Sequence, residues 1–319
     1  MLTVCNRLTS EVRSFGFEQM QLKYPVHFFC PDSLLWPVLK GWDGRPFGDQ
    51  QLSDHSGGIL NNWILRTYYE LRVAGVDVTL SGQLRPDAIN LASVRDFGRR
   101  QRDLRSFVAI PKADGHEPQL ANFRLLQNGL EPEAQDTAVI WHWPQPGIIP
   151  RDPARGTRLE VLCYKGRRSN LDEGFRSDVF VSDLKGLGIS FEIDSFDGEH
   201  AAHSWNDYAG ADAVLAVRNL TLYDAAKKPA SKLVNAWAAG VPALLGPEPA
   251  FREIGIPGEN YIEVRSPDDA LQALHRLQEN PAFCRSLVEK GRQAQKAYSC
   301  EALTKLWIEV LNGPVAESF

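Results

Sequence analysis

An alternation of short apolar runs with helix-period segments, broken once by a proline-rich stretch and then resumed, restricts the fold of this chain more than any other feature. The first run, VHFFCPD (Val26 to Asp32), is closed by Pro31 and Asp32, in the manner of a strand. A polar, Gly-rich stretch from Gly41 to Gly58 leads into ILNNWILRTYYELRVAG. There Ile59, Trp63, Leu65, Tyr69 and Val73 fall near one helical face, and Gly75 stops the helix. VDVTLSG reads as the next strand. Strand, helix and strand in this order make a βαβ unit, whose natural outcome is a parallel sheet. FVAIP (Phe107 to Pro111), FRLLQNG (Phe123 to Gly129) and AVIWHWP (Ala138 to Pro144) continue that sheet.

PQPGIIPRDPARG (Pro144 to Gly156) carries four prolines, and proline removes the donors a regular element needs. Beyond it the alternation resumes with RLEVLCYKG, a helix near Arg176 to Leu187, ISFEID, ADAVLAVR, and a helix and strand through KPASKLVNAWAAGVPALLG. At 319 residues the chain exceeds what one core usually serves. The expected architecture is α/β, with two facing Rossmann-like, doubly wound parallel-sheet domains and an interdomain cleft. Residues 1–145 form the first domain, 146–156 a linker and 157–300 the second, and a helix and tail at 301–319 are placed to pack back on the first. Ligands of such sheets bind at the carboxyl ends of strands, which directs attention to the cleft.

Composition narrows the function. A net charge of −5 argues against a nucleic-acid partner, which wants a basic footprint. Cys5, Cys30, Cys163, Cys284 and Cys300 are odd in number and never spaced as CxxC, which reads as reduced thiols rather than a disulfide framework or a zinc site. No window approaches the ~18 apolar residues of a membrane span, and the N-terminus lacks the apolar core of a signal peptide. The expectation is a cytoplasmic protein. Arg95 to Arg105 holds five arginines against two aspartates, either a solvated helix face or a patch for anionic lipid headgroups at the inner face of a membrane.

The richest segment is Lys227 to Leu245. Pro229 suits a first helical turn and Gly240 the position just past the end. Lys228, Ser231, Lys232 and Asn235 then fall on one stripe of the helix. A helix amino terminus presents unpaired N–H groups and partial positive charge, which favours phosphate, and lysines strengthen that preference. A solvated helix face is the plainer reading of the same lysines.

KPASKLVNAWAAGVPALLG, followed by PAFREI, GENYIEV and DDALQALHRLQENPAFCRSLVEKGRQ, resembles the C-terminal domain of GT-B glycosyltransferases, especially those related to glycosyltransferase family 4. The resemblance covers residues 159 to 300, with a weaker echo in SGGILNNWILRTYYELRVAGVDVTL. It implies that the helix of NAWAAGVPAL binds a nucleotide-sugar donor. Gly166, Arg167 and Arg168 in CYKGRRSN then approach the diphosphate, Arg218 is aimed at the cleft, and Glu253 matches a glutamate used near the donor. Ser56, Gly57 and Gly58 let a backbone come close to donor or acceptor. Most retaining members of that group carry two glutamates with seven residues between them. Here those positions are Lys227 and Asn235, and the Asn235 amide can still bond a ribose hydroxyl. The aromatics of WNDYAGAD (Trp205 to Asp212) either stack on the base or pack a helix.

The implied reaction is sugar transfer from a nucleotide-sugar donor to a glycan, lipid-linked or small-molecule acceptor. Cations offset the developing charge on the leaving diphosphate. No DxD-like carboxylate cluster is present, so transfer without a metal or other cofactor is expected. An inverting reaction needs a base from the first domain, with Asp54, His55 or His142 as candidates. A nucleotide-sugar-binding protein without turnover and a sugar-nucleotide 2-epimerase of GT-B architecture are the alternatives.

Overall fold

A computed structural model of the protein describes residues 21–55, 57–130, 134–194 and 205–319. Two wholly parallel sheets organise it. The first joins β1 (Val26–Phe29), β2 (Val78–Ser81), β3 (Ile89–Leu91), β4 (Phe107–Pro111), β5 (Phe123–Leu126) and β6 (Thr137–Val139) in the order β2-β1-β3-β4-β5-β6. All four residues of β1 are buried, as expected of a strand covered on both faces. It pairs Val26 with Val78 on one side and with Ile89 on the other. Around this sheet lie α1 (Asp49–Asp54) and a π-helical turn, Leu60–Leu65, that runs into α2 (Arg66–Val73).

The second sheet joins β7 (Val161–Lys165), β8 (Ser190–Asp194), β9 (Ala213–Ala216), β10 (Ala243–Leu245) and β11 (Ile262–Glu263) in the order β11-β10-β9-β7-β8. Its helices are α3 (Asp178–Gly186), α4 (Leu222–Ala226), α5 (Ser231–Ala239), α6 (Pro249–Ile254), α7 (Pro267–Glu279) and α8 (Pro281–Gln295). In each sheet the chain steps outward from its first strand and then returns to that strand's other side. The order therefore reverses between β1 and β3 and again between β7 and β9. Such reversals open a crevice at the strand carboxyl ends, where doubly wound folds bind ligands.

The chain ends in α9 (Cys300–Asn312) and α10 (Pro314–Ser318), which belong to the first lobe. Leu303, Trp307, Leu311 and Val315 share one core with Phe28, Trp63, Ile89, Phe123 and Trp143. Trp307 is wholly buried, its ring centroid 6.4 Å from that of Trp63.

Three local readings of the sequence change. β3, a three-residue strand just after Pro86 and Asp87, is too short to show a period and was not expected. Arg95 to Arg105 forms turns, not a helix face. The 146–156 segment is fastened to the second lobe. Ile149 bridges Asp207, Arg151 N–H donates to Ala239 O at 2.9 Å, and Asp152 N–H donates to Ala209 O at 3.1 Å. The Asp212 carboxylate, fully buried, accepts from Arg151 (2.7 Å) and Arg155 (2.6 Å) and from the N–H groups of Glu160 and Val161. Proline-rich backbone has few donors to satisfy, and here those that remain are spent on the second lobe.

Candidate functional site in the interlobe cleft

α5 begins at Ser231 with Ala230 as its N-cap, so Pro229 precedes the helix and Lys228 lies outside it. An alanine cap offers no side-chain acceptor, and none is supplied. The first N–H groups of the helix therefore lack an intrahelical partner. The other end follows the sequence reading, with Gly240 in the left-handed region at φ 71°, ψ 37°.

Lys232 ties this amino end to the crevice between β7 and β9. Its ammonium donates to the carbonyl of Lys165, the last residue of β7, and lies 5.1 Å from the Tyr164 ring and 5.9 Å from the Trp205 ring. A Cβ at Gly166 would stand 2.9 Å from Lys232 Nζ and 2.9 Å from Tyr164 Oη, so only glycine leaves room for this arrangement. Burial, reinforced by the positive charge of Arg218, pulls the Lys232 ammonium down to a pKa of about 7. Arg218, just past β9, is held in a two-point ion pair by Glu248, its Nε 2.7 Å from Oε1, with both side chains nearly buried. Lys165 pairs with Asp194 at 3.2 Å and lies over the Tyr208 ring at 5.0 Å. Arg167 and Arg168 stand exposed in the turn after β7.

The first lobe meets this site directly. Gln127 and Asn128, just past β5, reach across: the Gln127 amide donates to Lys227 O, and Asn128 Nδ2 donates to Ala226 O at 2.8 Å and to Lys228 O at 3.3 Å. Gly129 N–H donates to Glu253 Oε1 at 2.6 Å, and burial raises that carboxyl despite the bond. Lys228 Nζ pairs with Asp114 on the turn after β4 at 2.9 Å. His142 Nδ1 lies 2.6 Å from Trp143 O, and its ring meets Trp63 edge-on at 5.6 Å. Burial lowers the His142 pKa, while the charge of Asp114 opposes that shift.

The structure thus gathers Gly166, Arg218, Ser231 and Lys232 at one crevice, and brings Lys228 and Glu253 to the seam between lobes, while His142 packs on Trp63 within the first lobe. Other candidates stand elsewhere or are occupied. Asn235 is engaged in a different way from a ribose ligand, its Oδ1 accepting from Gln145 N–H at 3.2 Å. His55 stacks on Trp36, centroids 5.0 Å apart, and Asp54 is exposed beside it. Gly57 and Gly58, at φ 121° and 75°, form an exposed loop before the π turn, while Ser56 lies outside the described residues. Asp114, Gln127, Asn128 and Glu248 were missed by sequence reasoning. The FRLLQNG run did place Gln127 and Asn128 at a strand's carboxyl end, the only available hint.

The described residues contain no cluster suited to a metal ion and no helix long and apolar enough to cross a membrane. Comparison with solved structures places the fold. A sucrose-phosphate synthase from Thermosynechococcus elongatus superposes with a TM-score of 0.60 over 92% of this chain and 100% of its own, at 11% identity. AviGT4, a glycosyltransferase involved in avilamycin A biosynthesis, gives 0.55 over 92% and 98% at 15% identity. Anabaena HepE in complex with UDP-glucose gives 0.54 over 90% and 99% at 12% identity. The chain has the two-lobed GT-B fold of glycosyltransferases. Residues 198–309 match the family described as glycosyl transferase-like. A comparison with curated proteins by sequence finds no match.

Proposed function

We propose that this protein transfers a sugar from a nucleotide-sugar donor to an acceptor hydroxyl, with the donor diphosphate at the amino end of α5. The observation that carries this reading is the uncapped start of α5 at the β7–β9 crevice, with the Lys232 ammonium packed against Gly166. Unpaired helix N–H groups and a cation at one point favour a phosphate. As the sugar–phosphate bond breaks, the electron pair goes to the leaving diphosphate. Fixed positive charge at Lys232 and Arg218 stabilises that negative charge, so transfer proceeds without a metal. Gly166 lets the donor approach the backbone, and Ser231 adds a hydroxyl in the first turn. Arg167, exposed after β7, closes over the phosphates from solvent.

The acceptor enters from the first lobe, where the Asp114 carboxylate faces the second and His142 and the Gly57–Gly58 loop are the further candidates. A lipid-linked acceptor suits the exposed Arg95, Arg99, Arg100 and Arg105, on the same segment as a 90% exposed Leu104. A glycan or small-molecule acceptor needs no such patch.

Isothermal titration with UDP-, GDP-, ADP- and dTDP-sugars, followed by mass spectrometry of the bound donor with candidate acceptors, tests the assignment. Binding of one donor with release of its nucleotide only when acceptor is present supports transfer. Binding without any turnover supports the nucleotide-sugar-binding alternative, conversion of the donor with no acceptor supports an epimerase, and failure of all four to bind removes the donor site.

A further inference from the structure

Asp114 is reached through Ala113, whose φ of 49° is the one positive value at a non-glycine residue among those described. L-residues avoid that region, and such a residue persists only where its surroundings fix it. The surroundings do fix it. A Cβ at Gly115 would stand 2.9 Å from Val94 Cγ1 and 3.3 Å from Ile59 Cδ1, so the turn is clamped between the turn after β3 and the start of the Leu60–Leu65 helical segment. The clamped turn presents the Asp114 carboxylate to the opposite lobe, where it meets Lys228 at 2.9 Å.

Burial by itself would raise the Asp114 carboxyl. The hydrogen bond and charge of Lys228, joined by the charge of Arg95, more than offset that and hold it below the ordinary carboxylate range. The pair is nonetheless partly in solvent, with side-chain exposures of 25% for Lys228 and 38% for Asp114, and pairs of that kind are weak. The Lys228 backbone is pinned by Asn128 on its carbonyl, so the moving part is the side chain alone. It lies two residues before the N-cap of α5, within reach of an anion seated there.

We propose that the Asp114–Lys228 pair is a latch operated by the donor. A diphosphate at the amino end of α5 outbids a single carboxylate for Lys228, and the exchange turns Asp114 loose on the acceptor side of the seam. The Asp114 carboxylate is therefore uncovered only in the donor complex. This rests on α5 as the donor site, and the experiment separates the two ideas.

Titration calorimetry with UDP, and with GDP, ADP and dTDP in parallel, is run on the unaltered protein, D114N, K228M and the double variant. Since the latch competes with the nucleotide for Lys228, D114N binds the preferred nucleotide about two- to fivefold more tightly than the unaltered protein. K228M binds it more weakly, and adding D114N to K228M changes nothing further. Both side chains are partly exposed, so the variants fold, and thermal melting verifies it. Equal or weaker binding by D114N, or an undiminished gain in the K228M background, overturns the latch. Binding of none of the four nucleotides by the unaltered protein overturns the donor site instead.

Discussion

Replacing Lys232 with methionine keeps an unbranched side chain against Tyr164 and Trp205 while removing the ammonium. A hydrogen bond from a charged group contributes about 1.5–3 kcal/mol, so K232M weakens donor binding by about tenfold to just over a hundredfold where the lysine is charged. Charge depends on pH here, because burial has brought Lys232 to about 7. One pH unit above that value about nine-tenths of the side chains are neutral, and recharging them on binding costs about 1.4 kcal/mol. The unaltered protein therefore binds about tenfold more tightly at pH 6 than at pH 8, with uptake of a proton at the higher pH, whereas K232M shows a flat profile. UDP-glucose is the suitable probe, since its diester diphosphate does not titrate in this range. Calorimetry in two buffers of different ionisation enthalpy reads affinity and proton uptake together. Equal affinities of the two proteins at pH 6, or a pH slope that survives in K232M, refutes the placing of the diphosphate against Lys232.

The same lysine affects stability. Its folded-state pKa lies below its ordinary value of 10.5, so the unfolded chain binds more protons between about 7 and 10.5 and stability rises with pH across that window; urea midpoints for K232M lose this slope. Asp212→Ala leaves Arg151 and Arg155 without their buried partner and is expected to cost about 3–5 kcal/mol in urea unfolding, a loss below 1 kcal/mol contradicting the account of the clamp. Gly240→Ala forces an L-residue into the left-handed region and its Cβ against the Arg292 guanidinium, lowering stability by about 1–2 kcal/mol in the same assay. Trp307→Ala, by emptying a fully buried site in the first lobe, is expected to cost about 3–5 kcal/mol, read as a lowered melting temperature.

Local chemistry made much of the fold legible. The Ala213–Ala216 run is apolar on both faces and Val26–Phe29 is apolar but for His27, the mark of strands inside a covered parallel sheet, and Gly240 fixed the end of α5. The start of α5 was misplaced because Pro229 satisfies the rules for a first turn equally well just outside a helix, and the cap, an alanine, carries no sequence signal. The cleft was legible from its own lobe outward and no further. Gly166, Arg218 and Lys232 lie at strand or helix ends of the second sheet, positions that pattern and topology can locate. Asp114, Gln127 and Asn128 act on residues about a hundred positions away, and polar contacts of that span leave no periodicity or composition behind. The lost helix at Arg95 to Arg105 has a related cause: Arg102 spends its guanidinium on Ser106 O and Asn122 Oδ1, a use for arginine that charge counting cannot see.

The return of α9 and α10 to the first lobe has a consequence for biosynthesis. That lobe's core is completed by Leu303, Trp307, Leu311 and Val315, side chains that leave the ribosome only after the whole second lobe has been made. The second sheet can settle while translation continues, whereas the first completes its core only once those helices have been made. Loss of those helices would injure the lobe farthest from them in sequence.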